Sequence, residues 1–255
     1  MRLLPKKQLQ IRGRVVGGER VLFCLPLQEK STDKLYLQAQ SLKTFVPDMV
    51  EWRLDGFTGL ADMDLCLHTL ELLRSVLDDI PLLLTCRLVD EGGEGDISQQ
   101  QRRLLLDGLI GSHKIDLVDV ELSSGGDVLD HVSGIARENG VKTIFSYHNF
   151  TTTPPQQELL AILQKMEESG ADIAKLAVMP LYQQDVLTLF QATLMARTSL
   201  LDIPLIAIAM GDMGKISRLA AGLFGSDITF AYAAGASAPG QLHIAGMRQM
   251  MPFFY

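Results

Sequence analysis

The chain has 255 residues, 47% hydrophobic and 21% charged, which allows a sizeable core and argues against disorder. Its net charge of -7 speaks against a nucleic-acid or anionic-membrane partner, since both select an excess of Lys and Arg. No apolar signal segment follows the basic start MRLLPKKQLQIRGR, and no apolar run approaches the ~20 residues of a membrane helix. Cys24, Cys66 and Cys86 fit neither a disulfide framework nor a zinc site, so a reduced, cytoplasmic protein is expected.

Residues 8–20 alternate and contain Gly17-Gly18, which predicts a β-hairpin ahead of the main fold. Eight short apolar runs follow: VLFCLPL (21–27), MVEWRLD (49–55), PLLLTCR (81–87), LVDVEL (117–122), KTIFSYH (142–148), IAKLAVM (173–179), PLIAIAM (204–210) and DITFAYA (227–233). Each is strand-length and nearly continuous in apolarity, as a parallel strand covered on its outer face should be. Helical spacing fills the gaps. The stretch 33–45 sets Leu35, Ala39 and Leu42 on one face, 100–110 and 156–170 behave likewise, Gly170 is a helix stop, and Asp202-Ile-Pro204 ends the stretch 182–201. Eight strand–helix units in one 255-residue domain predict an α/β fold, a (β/α)₈ TIM barrel, with the hairpin closing its N-terminal end. No Gly-rich dinucleotide fingerprint follows the first run, which argues against a Rossmann fold.

Barrel sites lie at the C-terminal ends of strands, so charges there or inside strands carry the information. Glu51, Arg53 and Asp55 share one face of the second run and are costly to bury unless paired, either in a polar pocket or in a structural ion-pair network. Arg87 ends the third run and offers a planar fork for a carboxylate, followed by the Gly-rich Glu91-Gly-Gly-Glu94 loop. His148 ends the fifth run, where an imidazole suits acid–base work near neutral pH. Lys175 sits mid-run on the same face as Ile173 and Ala177. Facing inward, its burial would favour a neutral, nucleophilic amine; facing outward, it would snorkel between helices. Ser217 and Arg218 enter a helix after flexible glycines, a place that could hold an anion. The loop Ser237-Ala-Pro-Gly-Gln241 is either a lid or a turn capping the last helix.

These pieces together resemble the type I 3-dehydroquinate dehydratases. The matching segments, in the family's order over roughly four fifths of the chain, are EWRLD (51–55), TCR with EGGEGD (85–96), SYHNF (146–150), ADIAKLAVMP (171–180), MGDMGKISR (210–218), FGSDITFA (224–231) and SAPGQL (237–242). The resemblance implies a lyase that forms a Schiff base between Lys175 and 3-dehydroquinate, with His148 as general acid–base and Glu91 beside it. It assigns Glu51, Arg53, Arg87, Arg218, Ser237 and Gln241 to the substrate's carboxylate and hydroxyls. It also implies a homodimer with no metal and no cofactor, serving the shikimate pathway or quinate breakdown. One residue departs from the pattern: Asn149 stands where the family often has Asp, so no electrostatic role is assigned to it. Two rivals use the same features differently. A class I aldolase also uses a strand lysine in a barrel, and an inactive barrel would sense the ligand and regulate a partner. The Arg-rich pocket and the joint presence of Lys175, His148 and Glu91 favour the dehydratase.

Overall fold

The computed structural model describes residues 2–95, 97–233, 235 and 238–254. Two short antiparallel strands, β1 (Leu9–Ile11) and β2 (Arg14–Val16), form a hairpin. Its reversal is at Arg12-Gly13, both with positive φ (41° and 74°), and not at the Gly17-Gly18 pair that suggested it. Eight parallel strands follow: β3 (Leu22–Leu27), β4 (Met49–Arg53), β5 (Leu82–Thr85), β6 (Leu117–Glu121), β7 (Lys142–Asn149), β8 (Ile173–Val178), β9 (Leu205–Ala209) and β10 (Ile228–Phe230). They pair in the order β10-β3-β4-β5-β6-β7-β8-β9, a nearly closed barrel, each strand within its predicted run except β7, which extends one residue further to Asn149. The helices α1 (Thr32–Thr44), α2 (Met63–Leu77), α3 (Gln99–Gly111), α4 (Gly126–Glu138), α5 (Gln156–Glu168), α6 (Gln183–Met195), α7 (Lys215–Ala220) and α8 (Ile244–Met250) lie between or after the strands. Leu35, Ala39 and Leu42 are the buried face of α1, as their spacing requires. The stretch after α6 continues as a π-helical turn, Ala196–Leu200, whose Arg197 reaches the barrel seam.

Strand apolarity has two destinations. On β8, Ala174, Leu176 and Val178 pack against the helices, whereas Ile173 and Ala177 face the barrel interior. The lowest interior layer is apolar and joins Leu22, Cys24, Met49, Leu83, Leu117, Ile144, Ile173, Ile206 and Ile228. Ile11 and Val16 of the hairpin pack onto this layer, so the hairpin closes the N-terminal end of the barrel. Two residues further along the same face, five strands turn polar: Met49 gives way to Glu51, Leu83 to Thr85, Leu117 to Asp119, Ile144 to Ser146 and Ile173 to Lys175. That switch of polarity along one axis builds the site.

Four aspartates stitch the strands in pairs below the apolar layer. Asp48, Asp116, Asp172 and Asp227 each stand one residue before an even-numbered strand. Each backbone N–H donates to a carbonyl at the start of the preceding strand, of Phe23, Leu82, Thr143 and Leu205 respectively. Each carboxylate accepts the N–H of that same residue, at 2.9, 2.8, 2.9 and 2.8 Å. Cations pair with each carboxylate: Arg20, Arg12, Lys142 and Arg2 hold the other oxygens of Asp48, Asp116, Asp172 and Asp227, while Arg74 and Arg197 share the backbone-bonded oxygens of Asp116 and Asp227. The last stitch matters most. Between β9 and β10 no ladder is formed among the described residues, and closure rests on Asp227 N–H to Leu205 O (2.7 Å), the Asp227 carboxylate on Leu205 N–H, and the Ser226 hydroxyl on Ala207 N–H (3.1 Å).

Asp227→Ala should therefore lower the unfolding free energy by about 3–5 kcal/mol, because two buried guanidinium groups lose their counter-charge. Urea unfolding would record it as a lower midpoint. Lys6→Ala, which breaks only an exposed pair with Asp202, should leave the midpoint unchanged. Equal midpoints for Asp227→Ala and the parent would mean that the seam does not depend on this carboxylate.

Candidate active site

The polar layer opens at the C-terminal ends of the strands into one cavity. It is lined by Glu51, Arg53, Arg87, Glu91, His148, Lys175, Arg218 and Gln241, with Phe150, Met210 and Phe230 among its apolar walls. All the site residues expected from the sequence come together there except Ser237, which lies outside the described residues.

Lys175 faces inward. Its backbone pairs with Ser146 of β7 and Ile206 of β9, and the residue is only 4% exposed. The counter-charge comes from β6, two strands away: Nζ donates to Asp119 Oδ2 at 2.7 Å and lies 4.6 Å from the centre of the Phe230 ring. Asp119 was not singled out in the sequence, although LVDVE carries the same signal as EWRLD, charges at alternate positions of an apolar strand. Its carboxylate also accepts two bonds from Arg87 (3.0 and 2.9 Å) and one from the Ser146 hydroxyl (2.5 Å). Burial alone would push Asp119 up, but Arg87 and then Lys175 overcome it and hold the carboxyl well below its usual range.

The guanidinium fork of Arg87 is thus engaged inside the protein, by Asp119, by Glu121 Oε1 (2.7 Å) and by Ser146 (2.7 Å). Glu121, fully buried, is shared with Arg102 of α3 at 2.5 Å, and Arg102 also holds the Cys86 carbonyl at 2.8 Å. Arg53 is similarly taken by Asp55 (3.0 and 2.9 Å), which also accepts the backbone N–H groups of Arg87 and Glu94. Asp55 therefore ties the end of β4 to the loop that carries Glu91. That loop turns at Gly93, where a Cβ would meet the Arg87 carbonyl oxygen at 2.1 Å. Glu51 accepts the Thr85 hydroxyl at 2.8 Å.

His148 and Glu91 form a second unit. Glu91 Oε2 accepts the backbone N–H of His148 (2.8 Å) and lies 3.0 Å from Nδ1, which leaves Nε2 as the free basic nitrogen. Burial, then Arg87 and Lys175, hold His148 well below the ordinary imidazole range, so it is neutral. Burial raises Glu91. Asn149 points away from this chemistry: its Oδ1 accepts Thr151 and Thr152 N–H, and its amide donates to the Tyr147 hydroxyl, which fixes the loop after β7.

Arg218 is the one site cation that makes no ion pair among the described residues. It is 3% exposed, donates only to the carbonyls of Phe230 (3.5 Å) and Pro239 (3.2 Å), and its Nε has no acceptor. Burial lowers its pKa to about 10, still protonated at neutral pH. A buried guanidinium without a carboxylate is a receptor for an anion. Ser217 beside it plays no such part: its hydroxyl bonds the Gly214 carbonyl at 2.8 Å and the Ala209 N–H at 2.9 Å, joining β9 to α7. Among the described residues no group of three His, Cys, Asp or Glu is arranged to hold a metal, and no helix is long and apolar enough to cross a membrane.

Comparison with known proteins agrees with this geometry. The family model of the type I 3-dehydroquinases matches residues 23–255. A 3-dehydroquinate dehydratase of Geobacillus kaustophilus is 40% identical over 97% of this chain and 96% of its own. One from Clostridioides difficile is 38% identical over 96% of both. The crystal structure of the Geobacillus kaustophilus enzyme superposes with a TM-score of 0.96 at 39% identity, covering 99% of this chain and 98% of that one. A Clostridium difficile type I enzyme, solved with covalently modified comenic acid, gives 0.94 at 37% identity over 97% of both. A keto-gulonate-phosphate decarboxylase at 15% identity and TM-score 0.60 shares the fold alone.

Two consequences of the electrostatics are measurable. Arg218→Met should unfold no more easily than the parent in urea, because an unpaired buried cation is replaced by an apolar chain, while affinity for a carboxylate ligand falls at least ~10-fold. A drop in unfolding free energy beyond ~2 kcal/mol would show that Arg218 is structural. His148, depressed in the fold, stays neutral where an unfolded imidazole near ~6.5 takes up a proton. Its contribution to stability is whole above that value and is lost as pH falls below it. His148→Asn should therefore show a shallower acid decline in urea midpoint than the parent, and parallel declines would contradict a depressed imidazole.

Proposed function

The chain belongs to the type I 3-dehydroquinase family, hydro-lyases that dehydrate 3-dehydroquinate in the shikimate pathway, and from that premise we propose that it works through a covalent Schiff base at Lys175. The observation that carries this reading is a lysine buried at mid-strand, inside the barrel, in the same cavity as a neutral imidazole.

The substrate offers a ketone, a hydroxyl β to it and a carboxylate. The carboxylate is taken by Arg218, the cation left without an acid. Glu51, Arg53, Ser237 and Gln241 are left for the hydroxyls, and Arg87 acts chiefly by holding Asp119. The Lys175 ammonium passes a proton to His148, its neutral amine adds to the ketone, and the carbinolamine hydroxyl leaves as water with that proton to give an iminium. The iminium draws electrons from the adjacent carbon, so its C–H becomes acidic and His148 Nε2 removes the proton. The resulting enamine expels the β-hydroxyl, which leaves as water with a proton from His148. Hydrolysis of the product iminium consumes one water and frees 3-dehydroshikimate and Lys175. Two waters leave and one is consumed, so the net reaction is a single dehydration. Glu91 keeps Nδ1–H of His148 occupied, which holds Nε2 basic throughout. Carbon–carbon cleavage of the aldolase kind falls away with the family membership. We expect the chain to act as one domain in a cytoplasmic homodimer, without metal or organic cofactor.

The test is covalent capture. After incubation with 3-dehydroquinate and borohydride, peptide mass spectrometry should find the adduct on Lys175, and Lys175→Ala should be inactive and unlabelled. His148→Ala should lose about 10²–10⁴-fold in kcat yet still form the adduct slowly. An adduct on another lysine, or an active Lys175→Ala variant, would overturn the mechanism.

A further inference from the structure

Glu91 stands in the wall between two cavities. One is the substrate cavity. The other lies behind it, on the α3 side, and is lined by Arg87, Leu88, Asp90, Glu91, Arg102 and Ser123 among others. Glu91 Oε2 faces inward to His148, at 2.8 Å from its N–H and 3.0 Å from Nδ1. Oε1 faces outward and accepts a 2.6 Å bond from the hydroxyl of Ser123. Ser123 does not line the substrate cavity, and it was not singled out in the sequence.

Ser123 is exposed, but its hydroxyl is not left to wander. It lies in the single turn Leu122–Ser124, which one side chain ties at both ends. Arg102 bonds Glu121, the residue before the turn, and also the Ser124 hydroxyl (3.1 Å) at its end. Glu121 is in turn locked by Arg87 and by the Leu88 N–H at 3.2 Å. A buried clamp thus aims an exposed serine at one oxygen of Glu91.

We propose that Ser123 is a positioning residue for the Glu91–His148 pair: its hydroxyl fixes the rotation of the Glu91 carboxylate so that the other oxygen stays on His148. This rests on the dehydratase reading above. A carboxylate held from both ends cannot swing toward the outer cavity, where water would compete for it. The same bond favours the charged form of Glu91. The groups facing that carboxylate act in both directions. Glu121 on β6 opposes ionisation, as burial does; Arg87 at the end of β5, the His148 N–H on β7 and Ser123 favour it; Arg102 of α3 and Asp90 line the outer side. Loss of the hydroxyl therefore moves protonation of the pair to higher pH.

Ser123→Ala and Ser123→Thr are compared with the parent in kcat and KM for 3-dehydroquinate across roughly pH 5 to 9. The alanine variant should lose about three- to tenfold in kcat near neutrality, with KM within about twofold, and its acid limb should lie at higher pH. Threonine, which keeps the hydroxyl, should restore both, and borohydride capture on Lys175 should be unchanged in extent. An alanine variant with the parent's pH profile, a change confined to KM, or no restoration by threonine would remove Ser123 from the machinery. A parent chain without dehydratase activity is a different outcome: it defeats the functional reading, and the Ser123 role with it.

Discussion

An ammonium group inside a barrel must have a counter-charge, and Asp119 is the group on which this one depends. With the Lys175 ammonium 2.7 Å away, Asp119 is also the anion that Arg87 grips with two bonds. Arg87 then needs Glu121, and Glu121 is shared with Arg102. Charge alternates along this chain from the middle of the barrel to helix α3: plus, minus, plus, minus, plus. Each member is buried to 5% exposure or less, so removing either acid leaves an end cation, Lys175 or Arg102, without its ion-pair partner in a medium that solvates charge poorly. Two ends of the chain bear on function. Lys175 is the proposed nucleophile, and Arg102 secures the turn that holds Glu91. The network therefore couples the nucleophile and the acid–base pair through rigid ion pairs, although the two lie on different strands.

The opposite end of the barrel has a different task and a different chemistry. There the interior is apolar and the polar groups are structural, the aspartates that join β3 to β4, β5 to β6, β7 to β8 and β9 to β10. The same device four times gives the lower rim an approximate fourfold regularity. The hairpin and the segment after it add to it, since Arg12 pairs with Asp116 and Arg20 with Asp48 while Ile11 and Val16 cover the core. One layer of apolar side chains separates this rim from Lys175. Stability at the lower end and reactivity at the upper end are thus built from different residues of the same strands, which is how a barrel tolerates several buried charges.

Much of this was legible in sequence because burial makes charge conspicuous. Lys175 stood out in IAKLAVM, and Glu51, Arg53 and Asp55 in EWRLD, for that reason alone. Asp119 and Glu121 gave the same signal and were passed over, because nothing near them in sequence demands an anion; the demand comes from Lys175, 56 positions away. Pairing between side chains of strands two apart is set by strand order and register, and no local pattern carries it. The aspartate stitches were hidden for a related reason. Each is one aspartate followed by an apolar residue, at the uneven intervals of positions 48, 116, 172 and 227, and only the ladder register shows them to be equivalent. Ser123 carried no signal at all. An exposed serine in a turn has many ordinary explanations, and only its distance to Glu91 separates this one from them.

The unpaired Arg218 brings the electrostatics together. His148 is depressed by burial first and then by the positive field of Arg87 and Lys175, so the free site holds a neutral base of low proton affinity. A weak base is suited to staying unprotonated and poorly suited to taking a proton from carbon. Arrival of an anion changes that balance. A carboxylate beside Arg218 adds a negative charge to a cavity whose cations suppress the imidazolium, and the proton affinity of His148 rises in consequence. As the proposed base, His148 is therefore strengthened by the ligand on which it acts. The arrangement requires that the anion-binding cation have no acid of its own. Had Arg218 been paired like Arg87 or Arg53, the incoming carboxylate would have to displace a buried protein carboxylate, and the site would lose both affinity and this coupling.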